Sequence, residues 1–396
     1  MRDVGTIVRG IRTPVIKNGD DLAQIVVDSV LKASESENFS LEDRDIIAIT
    51  EAVVGISEGN FATLDQIALD IKTKLNSDHI GLVFPILSRN RFAVLLSAIA
   101  RSTKKITLLS SYPSDEVGND ILYRDDLIKH NVNVSNDLIS EDDYVKNYSH
   151  FKHLFTGVNM YEVYRDLVLK EDCEFEMVFS NKPEDILKYT NAVIGCDIHS
   201  RFETKDRILS CNRDAKVILL SDILTESVSG SGYSPFGLLG SNRSTEDKVK
   251  LFPRTGDELV NKVQQLMMQK TGKKIEVMVY GDGAFKDPVG RIWELADPVV
   301  SPAYTSGLEG SPNEIKLKYF SENKFKDLTG DELNNAIKEE IKNKDKELKG
   351  SMATQGTTPR RYTDLIGSLC DLTSGSGDKG TPVVLIQRYF TNYSND

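Results

Sequence analysis

The sequence predicts an α+β fold with mixed sheets, on three observations. Apolar runs of strand length recur along the chain, at 45–50, 105–109, 175–179, 192–195, 217–220 and 382–386. Stripes at helical spacing lie between several of them. From about residue 79 to 220 the two patterns alternate, which is the signature of βα units around an at least partly parallel sheet. A length of 396 residues gives a soft prior of about two to three domains at roughly 150 residues each. Four segments are distinguished, 1–78, 79–235, 236–310 and 311–396, the first two boundaries falling at the change of pattern near residue 79 and at the breaker that ends at 235.

The elements follow in order. Thr6–Ile11 reads as a first strand, and a polar loop through Thr13, Pro14 and Gly19 leads to a helix. Leu22, Ile25, Val26, Ser29, Val30 and Ala33 share one face of that helix, with Asp20 and Asp21 in its first turn complementing the helix dipole. Asp45–Thr50 is a buried strand, and Leu64, Ile67, Ala68, Ile71 and Leu75 mark the next amphipathic helix. The stretch 115–153 is polar, with Asp-Asp and Glu-Asp-Asp clusters, and is expected to be the most mobile or excursive part of the chain. The breaker Ser229-Gly230-Ser231-Gly232-Tyr233-Ser234-Pro235 returns the chain to a different domain. Thr255-Gly256-Asp257-Glu258 has the capping-box pattern before a helix that closes at Thr271-Gly272. Thr329-Gly330-Asp331-Glu332 repeats it before a charged helix expected to reach Gly350, and Pro382–Ile386 is a final strand.

Composition excludes several classes of function. With 49 basic and 60 acidic residues the net charge is −11, against any broad grip on nucleic acid or an anionic membrane. The N-terminal residues carry Arg2, Asp3, Arg9 and Arg12 without a long apolar run, so a cytoplasmic location is expected. Cys173, Cys196, Cys211 and Cys370 lie far apart with no Cys-x-x-Cys, which points to buried thiols rather than zinc ligands or a disulfide set.

Three stretches can carry chemistry. The loop from Thr13 to Asp21 precedes a helix, where backbone amides hold an anion or nucleotide edge; a plain β-to-α connection capped by Asp is the alternative. Gly281-Asp282-Gly283 follows an apolar strand, and Asp282 there suits a hard cation such as magnesium, with Lys286 and Arg291 in reach of phosphate oxygens. Ser374-Gly375-Ser376-Gly377-Asp378-Lys379-Gly380 resembles a phosphate cradle in composition yet fails the P-loop template, so it is either an anion nest or a hairpin. Arg89, Arg91, Lys104 and Lys105 read as solvated or substrate-facing cations. His199 reads as structural more readily than as a base, and His150 with His153 lacks a third metal ligand.

Taken in order, these motifs resemble the coenzyme F420 gamma-glutamyl ligase family, enzymes that add glutamate to a deazaflavin coenzyme precursor at the expense of GTP. The likeness starts at Pro14-Val15-Ile16-Lys17-Asn18-Gly19-Asp20-Asp21-Leu22, against the family's Pro-x-Ile-x-x-Gly-Asp-Asp-Leu, and continues through Asp45–Thr50 to Gly55-Ile56-Ser57-Glu58-Gly59. A second block takes in Leu251-Phe252-Pro253, the following helix and the strand into Gly281-Asp282. The resemblance implies a ligase-like core from segments 1–78 and 236–310, an inserted α/β region at 79–235 and a C-terminal extension. It places Thr13, Pro14, Val15, Ile16, Glu51 and Ala52 against the guanine nucleotide and sets Asp282 and Asn242 as ligands of Mg2+ or Mn2+. The family's phosphate lysine falls on Ile56, which shifts phosphate handling to Lys286, Arg291, Arg89 or Lys379, or removes it. The implied partners are a small-molecule acceptor, an amino acid and a second copy of the chain in a homodimer, with neither nucleic acid nor membrane. The reaction implied is amide ligation through an acyl phosphate; the alternatives are a non-catalytic nucleotide- or metabolite-binding relative and a metal-dependent phosphate-ester hydrolase.

Overall fold

The computed structural model describes residues 3–89, 91–153, 156–281, 301–348, 350–357, 360–373, 375 and 377–394. In chain order the elements are β1 (Ile7–Ile11), α1 (Leu22–Ser36), β2 (Ile46–Thr50), α2 (Glu51–Ser57), β3 (Phe61–Thr63), α3 (Leu64–Leu75), β4 (His79–Val83), α4 (Phe92–Ala100), β5 (Lys105–Ser110), α5 (Arg124–Lys129), α6 (Glu141–Asn147) and α7 (Met160–Leu169). They continue with β6 (Glu174–Phe179), β7 (Ala192–Gly195), α8 (Arg201–Cys211), β8 (Lys216–Leu219), β9 (Asn242–Arg243), β10 (Lys248–Lys250), α9 (Gly256–Thr271), β11 (Glu276–Tyr280), β12 (Ala303–Tyr304), α10 (Leu317–Glu322), α11 (Gly330–Asn343), α12 (Tyr362–Thr373) and β13 (Val383–Gln387). This is the α+β class with mixed sheets that the sequence predicts.

The chain divides into two compact units. The first contains the described residues up to Val54, Thr255–Gly281 and those from 301 onward. Its sheet has the order β1-β13-β2-β11-β12. β2 and β11 are parallel, whereas β13 is antiparallel to both β1 and β2. The unbroken apolar runs of β2 and β13 follow from this position, because Ile46–Ile49 and Val383–Ile386 are fully buried in the middle of the sheet. Each fully buried Ile or Val contributes about 1.5–3 kcal/mol relative to exposure. Met278, Tyr280 and Val384 pack with Ile366 and Cys370 of α12 in one layer of this core.

Helix ends in this unit depart from the sequence expectation in instructive ways. Asp21 is the N-cap of α1 rather than a first-turn residue, and its carboxylate accepts the Gln24 amide; such a cap contributes about 1 kcal/mol. Neither Thr255 nor Thr329 makes the predicted side-chain cap to its helix. The capping box forms in the second unit instead, between Thr63 and Gln66 at the start of α3. α11 stops at Asn343, short of the expected Gly350.

The second unit spans Gly55–Arg254. Its main sheet has the order β6-β5-β4-β7-β8, with every pair parallel, and the short strands β3, β10 and β9 form a separate antiparallel sheet. Gly81 in β4 has no room for a side chain, since a Cβ would collide with Ile186. The stretch 115–153 corrects the expectation of an excursion. Ile121, Leu122, Leu127, Ile139, Tyr144 and Tyr148 are all buried in the main core, with Tyr144 stacked on Phe179 at 4.5 Å. These anchors are spaced too irregularly to read as a periodic stripe, and the acidic residues around them start α5 and α6, where they complement the helix dipole.

Candidate functional site

In the first unit β1, β2 and β11 all point the same way, so their carboxyl ends share one edge of the sheet, together with the start of β13. Loops leaving such an edge are where sheets with parallel strands hold ligands. Predicted binding segments from opposite ends of the chain meet there. The Thr13 amide donates to the Gly380 carbonyl at 3.3 Å, and the Thr50 amide donates to the Pro382 carbonyl at 2.9 Å. The Thr13–Ile16 loop, the Glu51-Ala52 step and the Lys379 turn are therefore neighbours.

Local chemistry explains how each is held. The turn is a hairpin: Gly375 and Thr381 exchange backbone bonds at 3.3 and 3.1 Å, and the Gly380 amide donates to the Gly377 carbonyl at 2.9 Å. Gly380 takes φ +63°, a left-handed conformation that glycine adopts without strain. Lys379 is exposed on this turn. On the facing loop Ile16 is buried and anchors the backbone, whereas Val15 is 84% exposed, an apolar side chain held in solvent beside the Pro14 ring. Glu51 is buried in the first turn of α2, and Ala52 is half-buried.

One feature at this edge was hidden in the sequence. Gly256 starts α9 against the carboxyl end of β11: a Cβ there would stand 2.8 Å from the Ala303 Cβ and 3.8 Å from Val279 Cγ2. The close approach brings the amino end of a 16-residue helix to the same edge, and such an end favours phosphate. The Thr-Gly-Asp-Glu pattern carried that signal but reads as a cap. Lys262 of α9 reaches both carboxylate oxygens of Asp21 at 3.0 Å. That bond, and then the Gln24 amide, hold the Asp21 carboxyl below the usual carboxylate range.

Asp282, Lys286 and Arg291 lie outside the described residues, in the stretch that follows Gly281. Among the described residues no group of three or more His, Cys, Asp or Glu side chains converges to hold a metal. The buried carboxylates at the opposite ends of these strands are internally satisfied. Asp45 accepts from Gln387 Nε2 at 2.7 Å, and burial pushes its carboxyl up; Glu276 accepts from Thr305 and Gln264.

In the second unit Asn242 falls in β9, in register with Lys250, and Ile56 is half-buried in α2. Arg89 is exposed in the loop after β4. The histidines take structural partners: His150 pairs with Asp126 at 2.9 Å, His153 Nδ1 lies 3.0 Å from the Thr156 hydroxyl, and His199 follows β7 with its backbone amide on Glu116. None of the four cysteines forms a disulfide; Cys173, Cys196 and Cys370 are buried, whereas Cys211 is exposed, contrary to the expectation of buried thiols throughout. Asn60, unmarked in the sequence, is the hub of this unit. Its fully buried amide donates to the carbonyls of Tyr233 and Phe252 and accepts from the Tyr233 amide and Arg254.

A family model described as F420-0:gamma-glutamyl ligase matches residues 10–388. The chain belongs to the F420-0:gamma-glutamyl ligase family. The match takes in both partners of the Thr13–Gly380 contact and runs well beyond the two blocks whose motifs carry the resemblance. Among curated proteins none matches the chain significantly. As a member of a ligase family the chain handles small-molecule substrates, and among its described residues no helix is long and apolar enough to cross a membrane.

Proposed function

We propose that this gamma-glutamyl ligase family member forms an amide between L-glutamate, or a similar amino acid, and the carboxylate of a small-molecule acceptor, using GTP and an acyl phosphate. The observation that carries the proposal is the meeting of the Thr13 loop, the Glu51 step and the Lys379 turn at one sheet edge, beside the amino end of α9. The backbone amides of Val15 and Ile16 and the exposed apolar surface of Pro14 and Val15 suit a nucleotide base. The helix end and Lys379 suit its phosphates.

The reaction then balances without a protein nucleophile. A carboxylate oxygen of the acceptor attacks the terminal phosphorus of GTP and GDP leaves; the amino nitrogen attacks the acyl carbon, phosphate leaves, and the ammonium proton passes to solvent. Catalysis of this kind rests on alignment and charge rather than on a covalent protein intermediate. A magnesium or manganese ion would offset phosphate charge here, and Asp282, directly after Gly281, is the carboxylate the sequence supplies for it. We place the reaction in the cytoplasm and in a homodimer.

The test is incubation with magnesium or manganese, GTP or ATP, glutamate and candidate acceptors, including the deazaflavin precursor. Phosphate release that requires both acceptor and amino acid, with a hydroxamate formed when hydroxylamine replaces glutamate, is the expected result. Release without any amino acid would instead establish a phosphate-ester hydrolase. A thermal shift with GTP but no turnover would establish the binding-only reading, which Ile56 in place of the family lysine favours.

A further inference from the structure

The turn between β1 and α1 carries a peptide link with chemistry of its own. Asn18 is the only asparagine of the chain that precedes a glycine. With Gly19 it forms the tip of a tight turn: the Asp20 amide donates to the Lys17 carbonyl at 3.2 Å, and the Lys17 amide donates to the Asp20 carboxylate at 2.7 Å. Both tip residues are exposed. Gly19 takes φ +86°, in the left-handed region, and a Cβ placed on it would meet nothing within 4 Å.

Three features leave this pair open to an attack of the backbone on the side chain. The Asn18 amide makes no hydrogen bond with any described residue, so its carbon is not shielded by a partner. The Gly19 N–H has no acceptor among them either, so its nitrogen is not committed to backbone pairing. Glycine also lacks the side chain that would crowd that nitrogen, and it keeps the backbone freedom that lets the two atoms meet.

We propose that Asn18-Gly19 is a deamidation site and that its main product breaks the turn. The step balances with water alone. The Gly19 nitrogen, its proton taken by solvent, attacks Asn18 Cγ; the bond from Cγ to the side-chain nitrogen breaks and ammonia leaves, closing a succinimide ring. Water then opens the ring. Opening at Cγ gives aspartate, and opening at the main-chain carbonyl gives isoaspartate, in which the chain runs through Cβ and Cγ and is longer by a methylene. The main-chain carbonyl lies next to the electron-withdrawing α-nitrogen and is the more electrophilic, so isoaspartate predominates. Both bonds that close the turn join Lys17 to Asp20 across the altered link, and the lengthened backbone breaks their register. The turn leads directly into Asp21, the cap of α1. This is the loop proposed above to take the nucleotide, but the modification does not rest on that reading.

The test is prolonged incubation of the full chain at neutral and at mildly alkaline pH. Peptide mapping by mass spectrometry, with fragmentation that separates isoaspartate from aspartate, follows the products. Hydrogen exchange is then measured on the acidic form isolated by ion exchange. The expected result is conversion of amide to acid at residue 18 that outpaces every other asparagine, quickens with pH because the attacking nitrogen must lose its proton, and gives mostly isoaspartate. Asn18→Gln, whose longer side chain would have to close a larger ring, should stop it without shifting the unfolding midpoint. In the acidic form the segment around Asp20 should exchange roughly three- to tenfold faster, the scale of one lost hydrogen bond. Freshly prepared Asn18→Asp, which keeps the ordinary linkage, should exchange like the unmodified chain. No conversion at residue 18, conversion no faster than at other asparagines, a rate independent of pH, aspartate as the main product, or unchanged exchange in the acidic form would each overturn the proposal.

Discussion

Asn60→Ala tests how the middle of the chain is held. The amide is 0% exposed and makes four hydrogen bonds: to the Tyr233 carbonyl at 3.0 Å, to the Phe252 carbonyl at 2.8 Å, from the Tyr233 amide at 3.0 Å and from Arg254 Nη1 at 2.5 Å. Three neutral bonds contribute about 1 kcal/mol each and the one from the guanidinium about 1.5–3 kcal/mol, so simple addition gives roughly 5 kcal/mol. The partners share one network and some will find water, which brings the expected loss to about 3–4 kcal/mol. Gly232 packs so closely that a Cβ there would collide with Asn60; without the amide, the backbone around Tyr233 loses its contact as well as its bonds. Urea unfolding followed by circular dichroism gives the magnitude, and hydrogen exchange at Gly232 and Tyr233 gives the location. A loss below about 1 kcal/mol, the size of an ordinary substitution, would refute the hub role.

Other outcomes follow from single contacts. In Gly307→Ala the added methyl overlaps the buried Glu276 carboxylate, and thermal unfolding should show a loss of about 1–3 kcal/mol from overpacking. Burial pushes the Asp197 carboxyl above its ordinary 3.8, so the stability it contributes is complete below that value and is lost as pH rises through the folded value. Wild type should therefore lose stability relative to Asp197→Asn as pH rises above about 4, and a flat difference in urea midpoints would contradict this. Lys379 is exposed, so Lys379→Ala should leave the melting temperature unchanged while weakening GTP binding roughly tenfold, the effect of losing one charged phosphate contact.

What the sequence disclosed was set by the range of the interactions. Ile46–Ile49 and Val383–Ile386 were readable as strands because full burial demands unbroken apolar runs, and the alternation after residue 79 was readable because each βα unit is local. The pairing of Thr13 with Gly380 was not readable, since backbone hydrogen bonds between chain ends leave no residue-type signature. Asn60 was silent for the same reason: its partners lie at Tyr233, Phe252 and Arg254. The Thr-Gly-Asp-Glu stretches show the opposite failure, a local pattern that fits a template although the Thr side chain makes no cap to its helix, whereas Thr63-Leu64-Asp65-Gln66 makes both bonds.

The position of β13 carries a consequence for how the chain matures. It lies between β1 and β2, so until Val383–Gln387 leave the ribosome those two strands each present a bare backbone edge. Gly55–Arg254, by contrast, is one continuous stretch that emerges earlier. Synthesis should thus complete the later-numbered parallel sheet before the sheet that carries the first strand, and a nascent chain halted at residue 380 should recruit chaperones through those unzipped edges.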